Sequence, residues 1–378
     1  MIRFNKASVT NLEEKYLIDA LHNSILSGDG KYTMKVYEQF RERFGIENML
    51  LTTSGTSALE MASILAELEA GDEIIVPSFT FSSTVNAFLR CGAKPIFCDI
   101  RKDTMNLDEN KVEELITTKT KAIYAVDYAG IPCEMDIINE IADRHGLFVI
   151  EDAAQAVGST YKGKYAGTLS EFGCYSFHET KNYVMGEGGA IVLNQEKFMD
   201  RAEIIREKGT NRRHVLKGYV DKYTWHDIGS SFLPSDLLAA LLYAQMERYD
   251  EIMEKRMIVW NTYQEQLKEL ETEERLLCPS VPEGITHNGH MYNIVLPNAD
   301  IRSKLIDNLK KKEIMAYICY VPLHSSPMGQ RLGYRADMVP VTEDYGNRVL
   351  RLPLYADMTQ KEALYVADEV KHILRREI

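Results

Sequence analysis

The sequence has few cysteines, no long hydrophobic run and no excess of positive charge. Six cysteines are scattered along 378 residues, without a Cys-x-x-Cys pair or a histidine at the spacing of zinc ligands. We therefore expect reduced cysteines, no metal site and a cytoplasmic protein. No run of about 18 apolar residues is present and the first residues lack the core of a signal peptide, which argues against membrane spanning and secretion. The net charge of −12 disfavours nucleic acid and anionic membranes as partners.

The order of the apolar runs predicts an α/β protein with a parallel sheet, because short strands alternate with helical patterns. The predicted strands of the sheet are 49–53, 74–76, 95–98, 121–126 and 147–150. We assign residues 1–245 to an N-terminal arm and a large domain, and residues 246–378 to a smaller C-terminal α+β domain. A long helical run, 236–270, should link the two, and 291–296 and 315–320 should be strands of the second. Ligands of such sheets bind beyond the carboxyl ends of the strands.

A turn of small residues follows the first predicted strand. Residues 54–58 read Ser-Gly-Thr-Ser-Ala, and Ser57 with Glu60 has the spacing of a capping box that begins a helix. Free backbone N–H groups at the positive end of a helix dipole can bind a phosphate. Such turns are common, so the pattern alone is a weak signal. Beside a reactive lysine it favours Gly55 and Thr56 as phosphate ligands.

One lysine stands between an apolar run and a glycine-rich turn. Lys181 lies in Ser-Phe-His-Glu-Thr-Lys-Asn, residues 176–182, and Asp152 follows shortly after the apolar strand 147–150. A buried lysine deprotonates readily and can form a Schiff base with pyridoxal phosphate, whose pyridinium nitrogen a carboxylate can keep protonated. Asp152 could equally be only the cap of the following helix. The residues alone leave these two interpretations open.

Four further residues could complete such a site, and each has a plainer interpretation. Gln155 could reach the phenolic oxygen of the cofactor ring or simply face solvent. Ser176 could hold the phosphate or be an ordinary strand hydroxyl. His178 could carry protons, although packing is the commoner role of such a histidine, and Phe81 could stack on the ring or belong to the core.

Several motifs together resemble the DegT/DnrJ/EryC1/StrS family of pyridoxal-phosphate-dependent sugar aminotransferases. They are the segments 54–58, 151–155, 176–182 and 186–190, with Tyr320-Val-Pro-Leu-His324. The resemblance implies a PLP-dependent transferase of fold type I and a homodimer with active sites shared between subunits. It assigns Lys181 to the Schiff base, Asp152 to the pyridinium nitrogen and Gln155 to the phenolic oxygen. The phosphate ligands it implies are Gly55, Thr56 and Ser176, and the stacking ring is Phe81.

The irregular stretch 209–232 indicates the substrate class. Its aromatic and basic residues, among them Tyr223 and Trp225, suit a sugar nucleotide or a subunit contact. The stretch resembles the subgroup that makes dTDP-4-amino-4,6-dideoxygalactose from dTDP-4-keto-6-deoxyglucose and L-glutamate, in the assembly of surface polysaccharide. Tyr320 and His324 are further expected substrate contacts.

The sequence departs from the family at one position. Many members have an asparagine that reaches the partner subunit's cofactor phosphate, where this chain has Leu233. Asn211 is a weakly supported replacement.

Other functions stay open from the sequence. The product could be the equatorial gluco isomer, or the enzyme could aminate C3 of another nucleotide-linked keto-sugar. A dehydratase of this family would carry histidine in place of Lys181. A PLP-binding regulatory protein would be expected to add a DNA-binding domain, but residues 1–30 offer no basic recognition helix. A simple nucleotide-sugar binding protein would not need Lys181.

Overall fold

The computed structural model describes residues 1–23, 25–216, 218–219 and 221–376. The strands are β1 (Met49–Thr52), β2 (Glu73–Pro77), β3 (Lys94–Cys98), β4 (Thr120–Val126), β5 (Phe148–Asp152), β6 (Thr160–Tyr161), β7 (Lys164–Tyr165), β8 (Phe172–Ser176), β9 (Gly189–Leu193), β10 (Ile285–Thr286), β11 (Tyr292–Val295) and β12 (Val349–Leu352). The helices are α1 (Asn11–Asn23), α2 (Lys31–Phe44), α3 (Gly55–Leu65), α4 (Ser82–Leu89), α5 (Met135–His145), α6 (Met199–Arg206), α7 (Arg212–Leu216), α8 (Asp236–Glu247), α9 (Tyr249–Thr272), α10 (Ala299–Lys311), α11 (Pro327–Arg331), α12 (Pro340–Arg348) and α13 (Gln360–Arg376).

Seven strands form the central sheet, in the order β1-β9-β8-β5-β4-β2-β3. Strands β8, β5, β4, β2 and β3 pair in parallel, whereas β9 runs antiparallel to both of its neighbours. Both faces of the sheet are covered, so its strands are apolar almost throughout, as is typical of α/β proteins. The predicted α/β class and the five predicted strands are confirmed. The carboxyl ends of the parallel strands bring the turns after β2, β4, β5 and β8 to one edge.

Helix α3 begins three residues earlier than a Ser57–Glu60 capping box would place it. Its N-cap is Ser54, whose Oγ accepts a hydrogen bond from the Ser57 backbone N–H at 3.0 Å. The carboxylate of Glu60 pairs with Arg90 instead of reaching back to the cap. The predicted capping box is therefore wrong, because Ser54 already has the extended backbone that an N-cap requires.

A second, smaller set of elements follows the sheet. Strands β11 and β12 pair antiparallel and pack with α9, α10 and α13 around one apolar cluster. The predicted helical run 236–270 is divided at Arg248 into α8 and α9. Residues 315–320, predicted as a strand, make only one bridge among the described residues, between Tyr317 and Arg351. The partner of β11 is β12, which leaves 315–320 to run along a cavity wall. The division at residue 245 stays a prediction.

Among the described residues, no helix combines the length and the apolar character that are needed to cross a bilayer.

Candidate active site

A cavity of about 650 Å³ opens at the carboxyl edge of the central sheet. Its walls come from the turn between β1 and α3, the ends of β2, β5 and β8, and the segment 317–320. Residues Phe4 and Asn5 of the N-terminus lie at the same cavity. The cavity brings together side chains that are distant in the sequence, as expected for the ligand site of an open α/β sheet.

Lys181 lies on the wall of this cavity, five residues after the end of β8. Burial lowers the pKa of its amine to about 8, although the nearby Asp152 carboxylate acts in the opposite direction. An amine with a pKa of about 8 is about one-tenth neutral at pH 7 and half neutral at pH 8, which suits it to attack a carbonyl and then to carry a proton. The structure thus places Lys181 at the cavity with a lowered pKa, and its role in a Schiff base stays a prediction.

Asp152 is the last residue of β5, and its carboxylate is buried at the same cavity. Thr84 donates a hydrogen bond to its Oδ2 at 2.7 Å, and the Ala154 backbone N–H donates to Oδ1 at 3.3 Å. Burial raises the pKa of this carboxyl, while the hydroxyl of Thr84 and the charge of Lys181 oppose the rise. A buried carboxylate of this kind binds a protonated ring nitrogen strongly, since the nitrogen would replace the water that burial removed.

The side chain of Gln155 is held by bonds at both ends. Its Oε1 accepts from the Ala129 backbone N–H at 2.8 Å, and its Nε2 donates to the Tyr320 hydroxyl at 3.0 Å. Both Gln155 and Tyr320 line the cavity. The amide therefore presents an N–H donor to the cavity in a fixed orientation.

The turn that begins α3 forms a cradle at the end of the cavity. A Cβ at Gly55 would lie only 2.8 Å from the Ser176 Cβ, so the backbone approaches this serine as closely as it can. The first N–H groups of a helix have no intrahelical acceptor, and Ser54 satisfies only that of Ser57. Those of Gly55 and Thr56 stay available to an anion, with the Ser176 hydroxyl beside them.

His178 and Phe81 also line the cavity, where His178 is half-buried and Phe81 is exposed. The Nδ1 of His178 lies 2.9 Å from the Thr180 hydroxyl, and its Nε2 lies 3.5 Å from the Glu187 carboxylate. Phe81 is 58% exposed, with its ring 6.1 Å from that of Tyr320. An exposed ring at the wall can stack on a flat ligand, which a core phenylalanine could not do.

The sequence profile of the DegT/DnrJ/EryC1/StrS aminotransferase family matches residues 8–371. The chain belongs to this family. It is 31% identical to GDP-perosamine synthase of Escherichia coli O157:H7 over 364 residues, 96% of each chain. It is 29% identical to the dTDP-4-dehydro-2,3,6-trideoxy-D-glucose 4-aminotransferase of Saccharopolyspora spinosa, with 98% of this chain and 96% of the relative covered. The PMP form of Streptococcus pneumoniae Spr1654 has the same fold, with a TM-score of 0.94 at 24% identity and full coverage of both chains.

As a member of this aminotransferase family, the protein is a PLP-dependent transferase of fold type I, and its cofactor is pyridoxal phosphate. The cavity fits this group on its own evidence. A buried amine, a buried carboxylate and a helix N-terminus with free N–H groups lie on its walls. They match in turn the aldehyde, the ring nitrogen and the phosphate of the cofactor.

Three predicted substrate residues do not reach the cavity within this chain. Tyr223 and Trp225 are 56% and 79% exposed in the loop 209–232, and neither lines the cavity. His324 is fully buried, with its Nδ1 2.7 Å from the Ser78 hydroxyl. Tyr320 is the one predicted substrate residue that the structure brings to the cavity. A substrate role for the two loop aromatics stays a prediction that needs a second subunit.

The two residues tied to the family departure have local roles. Asn211 accepts from the Thr224 backbone N–H at 2.8 Å and donates to the Lys222 carbonyl at 3.0 Å, so its amide holds its own loop. Leu233 packs against Gly28, where an added Cβ would lie 2.9 Å from the leucine Cγ.

The sequence interpretation did not single out several cavity residues, among them Thr84, His290 and Arg351. Thr84 lies in the first turn of α4, after the Phe81 that the sequence did single out. His290 and Arg351 come from the C-terminal set of elements. No local pattern marks either of them, since only the fold brings them to Lys181.

Proposed function

We propose that the protein transfers an amino group from L-glutamate to C4 of dTDP-4-keto-6-deoxyglucose, giving dTDP-4-amino-4,6-dideoxygalactose and 2-oxoglutarate. The main support for this proposal is the lowered pKa of Lys181. Burial lowers the pKa of this amine to about 8, and the buried Asp152 lies near it. An amine with this pKa can both remove and return a proton near neutral pH.

The cofactor would be held by residues from four turns. The N–H groups of Gly55 and Thr56 and the hydroxyl of Ser176 would bind the phosphate, while Asp152 would bind the ring nitrogen. Gln155 would donate to the phenolic oxygen, and Phe81 would cover one face of the ring. When bound, pyridoxal phosphate supplies an aldehyde that condenses with amines and a ring that accepts electrons from the substrate carbon.

The chain's own groups then act on protons and on position. The amine of Lys181 would remove the proton from the α-carbon of the bound amino acid, and in the second half-reaction it would deliver a proton to one face of the sugar. Asp152 stays ionised and keeps the ring nitrogen protonated. His178, with its imidazole at the cavity, is a candidate to relay protons between Lys181 and solvent. Thr84 and the Ala154 backbone hold the carboxylate of Asp152 in place.

The sugar nucleotide would be bound between two subunits. In support, the loop 209–232 carries the exposed aromatics Tyr223 and Trp225, and such rings bind nucleotide bases and subunit surfaces alike. Phe81 and Val321 are also exposed, at and beside the cavity wall. A homodimer with shared active sites would cover these groups.

Proton NMR of the product is the decisive experiment. Purified protein, pyridoxal phosphate and L-glutamate would be incubated with dTDP-4-keto-6-deoxyglucose and, in parallel, with a GDP-linked 4-keto-6-deoxy sugar, because the names of the relatives refer to both nucleotides. An axial amine at C4 of the dTDP sugar is the expected result. An equatorial amine, amination at C3 or exclusive use of the GDP sugar would refute the proposed substrate.

Variants at two positions test the assigned roles. Lys181→Ala should abolish turnover and leave the fold intact, which circular dichroism would verify. Asp152→Asn should lose most of the activity because the ring nitrogen would no longer be kept protonated. Normal turnover of Lys181→Ala would contradict the mechanism, and an unaffected rate in Asp152→Asn would leave Asp152 with only its local hydrogen bonds to Thr84 and Ala154.

A further inference from the structure

A buried polar network joins three chain segments behind Lys181. Asn182, the next residue, donates from Nδ2 to the Asn288 carbonyl at 2.9 Å. Asn288 donates in turn from its own Nδ2 to the Gln155 carbonyl at 2.8 Å. The guanidinium of Arg256 donates to the His290 carbonyl at 2.7 Å. The network therefore fixes His290 against both the lysine segment and the segment that follows β5.

The hydrogen bonds determine which nitrogen of His290 carries the proton. Its Nδ1 lies 2.8 Å from the Asn182 Oδ1. The amide nitrogen of Asn182 is already engaged with Asn288, so the atom that faces the imidazole is an oxygen, which can only accept. Nδ1 therefore bears the hydrogen. In a neutral ring this leaves Nε2 as an acceptor with a free lone pair.

The surroundings keep this imidazole neutral. His290 is only 4% exposed, and burial holds the pKa of its ring well below 6.5. The charged groups that act on it are all positive and depress this pKa further: Lys181, Arg351 and Arg256. At neutral pH the ring therefore presents an acceptor, never a second positive charge.

His290 and Lys181 are complementary and lie on the wall of the same cavity. In the part of the chain that the structure describes, neither the Nε2 of His290 nor the Nζ of Lys181 has a hydrogen-bond partner. The His290 Nε2 is an acceptor without a donor, and the Lys181 Nζ is an ammonium donor on a flexible four-carbon chain. The two groups are near enough for the charge of Lys181 to lower the pKa of the His290 ring.

We propose that His290 is a positioning residue for Lys181, whose ammonium group donates a hydrogen bond to the His290 Nε2 whenever the amine is not joined to the cofactor. The inference rests on the proposed function, in which Lys181 is released and rejoined in every cycle. The bond would hold the released amine in the cavity and orient it between its proton transfers. Asn182 contributes through the tautomer that it imposes on the imidazole.

His290→Asn tests this role. Asparagine can still donate an amide hydrogen to Asn182, but it is too short to place an acceptor where Nε2 stands. His290→Gln reaches further and restores an acceptor oxygen. The matched control is His287→Asn, since His287 is also buried, packs against Trp260 with ring centroids 4.3 Å apart and does not line the cavity.

The readout is the rate at which the full-length, cofactor-free protein captures pyridoxal phosphate, followed by visible absorbance across pH 6 to 10. Only the neutral amine of Lys181 attacks the aldehyde carbon, with loss of water, so the midpoint of the pH profile reports its pKa. Loss of a hydrogen bond to a charged group should lower this midpoint by about one pH unit in His290→Asn. We expect recovery in His290→Gln and no change in His287→Asn.

An unchanged midpoint in folded His290→Asn would overturn the proposal, as would an equal shift in His287→Asn. If His290→Asn does not fold, Asn182→Leu replaces it, because loss of the Oδ1 acceptor frees the imidazole to move its hydrogen to Nε2 and should lower the midpoint as well. No sugar is present in this assay, so its outcome is independent of the substrate test.

Discussion

Replacing Asp127 by asparagine should stabilise the protein, and the gain should grow with pH. Asp127 follows β4, and its Oδ1 accepts from the Cys133 backbone N–H at 3.0 Å. Its other oxygen faces Glu151, whose two oxygens already accept from the backbone N–H groups of Gly167 at 2.6 Å and Leu169 at 3.0 Å. Two buried carboxyl groups thus meet beside the paired strands β4 and β5. The arrangement is satisfied when Asp127 is protonated and donates to Glu151.

Because Asp127 must hold a proton in the folded state, this arrangement lowers the free energy of unfolding as the pH rises. Burial and then the charge of Glu151 raise the pKa of Asp127 well above 3.8, its ordinary value. The folded protein therefore binds one more proton than the unfolded chain at any pH between these two values. Stability is full below pH 3.8 and falls by about 1.4 kcal/mol for each pH unit above it, until Asp127 ionises in the folded state.

Asparagine removes this cost, because its amide donates to Glu151 without taking up a proton and its oxygen still accepts from Cys133. Urea unfolding of the wild type and Asp127→Asn, at intervals from pH 4 to pH 8 with equal cofactor, measures the difference in unfolding free energy. We expect a difference near zero at pH 4 that increases steadily towards alkaline pH. Parallel stability curves of the two proteins from pH 5 to pH 8 would refute the reasoning.

Asp99→Asn is the matched control of opposite sign. Asp99 is also buried, but it accepts from the backbone N–H groups of Val341 at 3.0 Å and Thr342 at 2.7 Å. Burial raises the pKa of Asp99, yet these donors outweigh it and the net pKa is lowered below 3.8. Its stabilisation is present above pH 3.8 and is lost as the pH falls through the folded value. This variant should therefore destabilise the protein at neutral pH.

Two further substitutions probe the walls of the cavity. Thr84→Val keeps the shape of the side chain but removes the 2.7 Å hydrogen bond to Asp152, so the pKa of that carboxyl should rise further. We expect the glutamate half-reaction to be about tenfold slower, with the largest loss at low pH. An unchanged pH–rate profile would contradict this expectation. Gly55→Ala places a Cβ 2.8 Å from the Ser176 Cβ. We expect this change to weaken cofactor binding about tenfold or more, as measured by titration with pyridoxal phosphate. An unchanged dissociation constant would show that the turn is not the phosphate cradle.

The residues that sequence patterns could identify are those that local geometry fixes. Asp152 ends a buried parallel strand, and the carboxyl ends of such strands share one edge of the sheet, so its position follows from the alternation of strands and helices. Lys181 was marked by apolar and glycine flanks, and Phe81 by its place at the end of β2. The edge that these patterns predict is where the cavity lies.

The residues that escaped prediction depend on contacts between distant segments. Thr84 reaches Asp152 across 68 positions, and His290 reaches Asn182 across 108. Strand β12 is the partner of β11, and its Arg351 faces the cavity. The segment 315–320 has the apolar composition of a strand, but the fold uses it as a cavity wall. Composition does not distinguish these uses, since either one buries apolar side chains.

The start of α3 shows how a small error in a local prediction bears on function. A capping box at Ser57 and Glu60 would leave Gly55 and Thr56 outside the helix, with no dipole behind their N–H groups. With Ser54 as the cap, both residues fall in the first turn, where the N–H groups have no internal acceptor and the dipole favours an anion. The same shift brings the Gly55 backbone against Ser176, where only glycine fits. The choice of cap is therefore what makes this turn a phosphate cradle.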